Sequence, residues 1–139
     1  MIEGRGSERE YARHVAYQRE PWLFDLIDRL VVSSIEYLCI QIEAGAGAVQ
    51  IFDSWAGELT DELFGEFCVE PIRRIILGVK ARHPEFRFIA EAYWDLEGAL
   101  QQQGFDYCYD KRLYDRLCHG DAADIRAHLG AGLDYQDRL

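Results

Sequence analysis

Two carboxylates and a hydroxyl stand where an α/β protein places its chemistry. Asp53 and Ser54 follow the apolar run Ala48-Val49-Gln50-Ile51-Phe52, and Glu91 closes the run Phe86-Arg87-Phe88-Ile89-Ala90-Glu91. If both runs are strands of one parallel sheet, these residues lie at C-terminal strand ends, the rim where such sheets carry their active groups. Neighbouring strands are about 4.8 Å apart, close to the roughly 5 Å separation at which one carboxyl protonates a glycosidic oxygen while a second attacks the sugar. Pleat parity opposes that pairing. Successive side chains point to opposite faces, so only one of Asp53 and Ser54 can share a face with Glu91. Solvated strand-end carboxylates are the simpler reading of Asp53 and Glu91.

The remaining reactive side chains form no recognisable centre. Cys39, Cys68, Cys108 and Cys118 include no C-x-x-C pair and no histidine at zinc-ligand spacing, and their apolar neighbours mark them as reduced core thiols. His14, His83, His119 and His128 have no Ser, Cys or Asp at a spacing that suggests a triad. Tyr93, Trp94, Tyr107 and Tyr109 could stack on a sugar, although aromatics at such positions are more often packing groups. No metal and no cofactor are expected.

The elements that must position these groups alternate. Apolar residues recur at Leu23, Ile27, Leu30, Val31, Leu38 and Ile42, one helical stripe with Pro21 at its start and Gly45 and Gly47 as its stop. Ala48–Phe52 reads as a buried strand. Thr60 is a candidate N-cap for a helix through Phe64, Phe67, Ile72, Ile75, Ile76 and Val79, with Pro71 expected to kink it or split it near Val69. A second strand over 86–91, a short helix over 95–103 ending at Gly104, a third strand over 105–109 and a helix from Lys111 follow. Asp121 then caps a last helix stopping at Gly130. Helix, strand, helix, strand with short links is the rhythm of right-handed parallel crossovers.

A chain of 139 residues with 49% apolar residues can bury one core, which excludes a disordered or fibrous protein. The 25 acidic against 15 basic residues give a formal charge of −10, which would be repelled by nucleic acid and by an anionic bilayer. Neither nucleic acid nor membrane is expected as a partner. The expected location is cytoplasmic, with recombinant expression in view. Ile2-Glu3-Gly4-Arg5 is the recognition tetrapeptide of the protease factor Xa, and with Gly6-Ser7 it reads as an appended tag over residues 1–7. Residues 8–139 are then expected to form a single α/β domain.

Two family resemblances meet in this domain. Ile42-Glu43-Ala44-Gly45-Ala46-Gly47-Ala48-Val49-Gln50-Ile51-Phe52-Asp53-Ser54-Trp55-Ala56-Gly57, with Glu20-Pro21-Trp22 before it and Pro71-Ile72-Arg73-Arg74-Ile75 to Pro84 after it, resembles uroporphyrinogen decarboxylase. That family is a cofactor-free (βα)8 barrel that removes acetate carboxyl groups from a tetrapyrrole, and the resemblance implies that Ser54 touches the substrate. Beyond Pro84, Phe88-Ile89-Ala90-Glu91-Ala92-Tyr93-Trp94-Asp95 and Gly104-Phe105-Asp106-Tyr107-Cys108-Tyr109 resemble the α-amylase family of glycoside hydrolases, also a (βα)8 barrel. There Glu91 would stand at the position of the general acid. Residues 8–84 thus read as decarboxylase-like and 85–139 as amylase-like, with a join at His83-Pro84-Glu85.

The fold expected from these readings is α/β: about three parallel strands covered by helices, a partial (βα)8 barrel built from two fragments. Both active sites would be incomplete, leaving Glu91 and Asp53 as vestigial catalytic candidates and Ser54 as a vestigial substrate contact. The expected function is therefore an artificial or recombined chimeric scaffold without native catalysis. The alternative is residual tetrapyrrole binding or weak glycoside hydrolase activity. Three strands leave two open edges, so self-association, as a homodimer, is expected.

Overall fold

Residues 9–52, 58–91 and 97–130 are described by the computed structural model, and the chain divides into two compact units, Met1–Pro84 and Glu85–Leu139. The first unit begins with a helix that periodicity did not announce, α1 (Glu10–Gln18). Left-handed residues bound it: Arg9 has φ 59° and Arg19 has φ 51°. The Arg19 and Glu20 amides turn back onto the carbonyls of Ala16 and Val15, so an arginine occupies the position that glycine usually takes at a helix end. Val15 and Ala16 are buried with Leu23, and Ile27, Leu59 and Phe67 close over them.

The apolar stripe beginning at Leu23 yields one 23-residue helix, α2 (Pro21–Glu43), with Pro21 in its first turn. Gly45, at φ 89°, supplies the left-handed stop. Farther on, α3 (Asp61–Phe64), a π-helical turn (Gly65–Val69) and α4 (Glu70–Arg82) follow one another without a break in helical dihedral angles. The kink or split expected near Val69 takes the form of a widened turn that ends at that residue. A proline ring clashes with the carbonyl four residues back, and the π turn takes the carbonyls of residues 65–69 out of the α register, so Pro71 fits into the first turn of α4. Thr60 does not cap through its hydroxyl; its extended backbone instead offers its carbonyl to the Phe64 amide at 2.7 Å.

Helices α2 and α4 pack side by side, with Val31, Leu38 and Cys39 buried on one and Ile75, Ile76 and Val79 on the other. Arg74 reaches Asp28 at 2.6 Å, Gly78 lies against Ile35, and His83 lies 3.6 Å from Glu43. Residue numbers rise together along both helices, so the two run parallel. A parallel pair requires the link to travel back along the length of α2, about 34 Å at 1.5 Å per residue. The segment 44–60 spans that distance easily at about 3.3 Å per extended residue.

The second unit is a small β–α–β crossover. Strands β1 (Ile89–Ala90) and β2 (Tyr107–Cys108) pair in parallel with Ile89 opposite Tyr107 and Ala90 opposite Cys108, and α5 (Glu97–Gln102) lies in the connection. Phe88 and Ala90 carbonyls accept from Tyr107 and Tyr109 at 3.1 and 3.0 Å, and the Asp106 carboxylate accepts from the Phe88 amide. Gly104 (φ 113°) turns the chain from α5 into β2. Helices α6 (Lys111–His119) and α7 (Ala122–Gly130) complete the unit, and Asp121 caps α7 through the Ala123 and Asp124 amides at 2.8 Å each.

The architecture is thus mostly helical, with a two-stranded parallel sheet among the described residues. Three paired strands were expected. Ala48–Phe52 has the composition of a strand but joins no ladder. Composition supplies the tendency to extend, whereas a strand also needs a neighbour to satisfy its amides. A closed or partial barrel is not shown. No helix among the described residues is long and apolar enough to cross a membrane.

Candidate functional site

The segment leading to Asp53 and Ser54 emerges from the Gly45 stop and runs through Val49, Ile51 and Phe52. Ile51 and Phe52 are exposed, Phe52 at 78%. Asp53 and Ser54 themselves lie outside the described residues. On the far side, Glu58 is held by a fork from Arg9, with Nε at 2.8 Å, and by Arg13 at 3.3 Å. The Arg9 hydrogen bond keeps the Glu58 carboxyl below the usual carboxylate range, with the charges of Arg9 and Arg13 adding to the effect against a cost of desolvation. Before Asp53 and Ser54 in the sequence the chain exposes apolar Ile51 and Phe52, and after them Glu58 shares its one carboxylate between two arginines.

Other arginines of the first unit are engaged likewise. Arg19 spans Glu62 at 2.6 Å and Glu66 at 2.9 Å, Arg73 holds Glu70 at 2.8 Å, and Arg74 holds Asp28. The Arg73 hydrogen bond lowers Glu70, and the Glu70 bond raises Arg73. These exposed pairs fix helix faces more than they stabilise the fold.

In the second unit Glu91 stands directly after β1, exposed at the C-terminal end of that strand. The residue after Tyr109 on the corresponding end of β2 is Asp110, and it does what spacing alone did not reveal. One carboxylate oxygen caps α6 by accepting from the Leu113 amide at 2.8 Å, and the other lies 2.7 Å from His128 Nε2. Arg116 reaches the opposite nitrogen, Nδ1. Because a guanidinium only donates, Nδ1 must accept, and Nε2–H donates to Asp110. His128 is 4% exposed, with both ring nitrogens engaged, so the arrangement clasps α6 to α7 and leaves no free base.

Glu97 is a buried carboxyl group, 3% exposed, with Oε1 unpartnered among the described residues. The Cys108 Sγ–H donates to the Glu97 carbonyl at 3.5 Å. Burial, and then the Glu97 charge, pushes the Cys108 thiol above its ordinary value. That is the opposite of an activated nucleophile. No disulfide links Cys39, Cys68, Cys108 and Cys118. No group of His, Cys, Asp and Glu among the described residues is arranged to hold a metal ion.

The parallel pair β1 and β2 with α5 between them, in a mostly helical chain, is consistent with a partial α/β fold. The uroporphyrinogen decarboxylase (URO-D) family model matches residues 1–109, and the chain belongs to that family. Uroporphyrinogen decarboxylase from Ruegeria pomeroyi is 52% identical over 85 residues, covering 60% of this chain and 25% of the relative. The proteins of the same name from Paracoccus denitrificans and Gluconobacter oxydans are 47% identical over 91 residues and 49% over 86, covering 65% and 61% of this chain and 27% and 24% of each relative. The chain spans about a quarter of the length of these curated relatives. No solved structure matches the chain.

These findings overturn the artificial scaffold expected from the sequence. The family match runs through residue 109, past His83-Pro84-Glu85, and nothing supports an amylase-like part or a join of two enzymes. The runs Phe88–Glu91 and Phe105–Tyr109 are short, and both lie within the residues that match the decarboxylase family.

Proposed function

We propose that this chain serves tetrapyrrole decarboxylation by supplying one wall of the substrate site, with Ser54 as a hydrogen-bonding contact to the macrocycle. The observation that carries the reading is the 109-residue match to the uroporphyrinogen decarboxylase family. One feature of the chain supports it, and another limits it. Exposed Ile51 and Phe52 immediately precede Asp53 and Ser54, as a flat apolar ring with polar substituents requires. The arginines near this segment, Arg9 and Arg13, are tied to Glu58, so a polycarboxylate finds few free donors on a chain of charge −10.

It follows that this stretch binds tetrapyrrole weakly and does not turn it over alone, the cationic clamps and the proton-transfer groups being supplied from outside these residues. Asp53 and Glu91 have no catalytic role in this reading. Titration of coproporphyrin, followed by its Soret absorbance, should saturate, and Ser54→Ala should weaken it severalfold. Absence of saturable binding, equal binding by Ser54→Ala, or saturable binding of a maltooligosaccharide instead would refute the assignment.

A further inference from the structure

The carboxylate between Arg9 and Arg13 belongs to the chain itself. These arginines stand one helical turn apart at the start of α1. Arg9 directs Nε, at 2.8 Å, and Nη2 to the two oxygens of Glu58, the two-pronged geometry in which a guanidinium recognises a carboxylate of any origin. It does so from a left-handed backbone, φ 59°, which a residue with a side chain adopts only at a cost. Arg13 gives the same carboxylate a looser contact, with Nη1 at 3.3 Å, from a group that carries five N–H donors. At the other end of α1 the proportion is reversed: Arg19 spans the two carboxylates of Glu62 and Glu66, whereas at Glu58 two arginines share one.

We propose, on the tetrapyrrole reading of this segment, that Glu58 is an internal competitor of the ligand: a polycarboxylate displaces it from Arg9 and Arg13 and takes its place in the fork. Position favours the exchange. Leu59 packs on the Val15, Ala16 and Leu23 cluster, which anchors the chain at Glu58 beside α1. Ser54 precedes Glu58 by four residues, at most about 14 Å of extended chain, so one macrocycle with carboxylates on its rim reaches from the hydroxyl to the arginines. The side chains of Arg9, Arg13 and Glu58 are 36%, 37% and 27% exposed, open to a ligand from solution.

Replacing one carboxylate by another leaves the hydrogen bonds unchanged in number and kind, so concentration and valency decide the exchange. Glu58 is tethered and always at hand, and a monocarboxylate in dilute solution does not match it. A ligand that is already seated at Ser54 does, because its next carboxylate is then tethered as well. A partly exposed ion pair holds its partner by a factor of about five at most. Glu58 therefore tunes the affinity for polycarboxylates and does not close the site.

Coproporphyrin titrated into the full chain, followed by its Soret absorbance, should bind Glu58→Gln about three- to fivefold more tightly than the parent. Glu58→Ala, which leaves no acceptor, should gain at least as much, with helicity by circular dichroism kept in both. Glu62→Gln changes the net charge equally but leaves the fork intact, and should gain nothing. In a chain that carries Arg9→Gln and Arg13→Gln, Glu58→Gln should have no effect. Saturable binding that neither Glu58 variant tightens overturns the proposal and leaves the tetrapyrrole reading standing. An equal gain from Glu62→Gln, or a gain that persists without the arginines, assigns the effect to charge alone and overturns it as well. Absence of saturable binding in every variant overturns both the proposal and the tetrapyrrole reading.

Discussion

Gly78 of α4 lies against Ile35 of α2, and adding one methyl group there tests the packing of the first unit. A Cβ on Gly78 would lie 2.5 Å from Ile35 Cδ1, 3.0 Å from Cγ1 and 3.3 Å from Cγ2. In an exposed helix, Gly→Ala stabilises by about 1 kcal/mol through propensity. Here the new methyl meets three atoms of one β-branched side chain, which has essentially one rotamer in a helix and cannot swing aside as a unit. Overpacking of this kind costs about 1–3 kcal/mol, so Gly78→Ala should be a net loss of about 1 kcal/mol. In an Ile35→Ala background the obstructing atoms are gone, and the same substitution should gain about 1 kcal/mol, a coupling of about 2 kcal/mol. Urea unfolding followed by helical circular dichroism, at one fixed protein concentration, measures all four corners of the cycle. If Gly78→Ala stabilises the parent chain, or if its sign does not reverse when Ile35 is truncated, the close parallel packing of α2 and α4 is wrong.

Glu58 should impart an acid-sensitive step to stability. Its folded-state carboxyl is held below the ordinary value of 4.5, so its contribution is complete above that value and is lost as pH falls through the lower folded one; Glu58→Gln should flatten this limb, the two proteins converging at the acid end of the series. The same substitution removes the carboxylate that Arg9 and Arg13 share, and if the adjacent segment meets a polycarboxylate tetrapyrrole, coproporphyrin should bind Glu58→Gln more tightly; unchanged affinity would separate these arginines from the ligand. Cys108 should resist alkylation at pH 8 relative to exposed Cys118, and Glu97→Gln should speed its reaction only in part, since burial is the larger cause of its raised thiol; a rate unchanged by Glu97→Gln would remove the carboxylate from the thiol's surroundings. Asp110→Ala should destabilise the second unit by about 2 kcal/mol through loss of the α6 cap and of the His128 partner, whereas Asp110→Asn should retain part of both; equal losses by calorimetry would show that the clasp is not formed.

What the sequence disclosed was what is local. Helix α2 could be read because its stripe is long and both ends carry punctuation, Pro21 at the start and Gly45 at the stop. Helix α1 could not, because it is one short helix whose ends are turned by Arg9 and Arg19 in the left-handed region, a conformation for which arginine gives no signal. Ala48–Phe52 shows the opposite failure: its residues favour extension, but a strand is a relation between two segments and none pairs with it among the described residues. The clasp of Asp110, His128 and Arg116 was hidden for the same reason, since the partners lie 18 and 12 residues apart and meet only once α6 and α7 fold together. Resemblance has a related limit. The run from Ile42 to Gly57 is long enough to specify a family, whereas the strand-end runs near Glu91 and Tyr109 are too short to specify a second one, and both fall within the same family match. The parallel course of α2 and α4 escapes that ambiguity, because it rests on Asp28 with Arg74, Ile35 with Gly78 and Glu43 with His83. An antiparallel pair would need only a short turn between the helices. A parallel pair obliges the intervening chain to return along α2, and that return is the segment in which Asp53 and Ser54 occur.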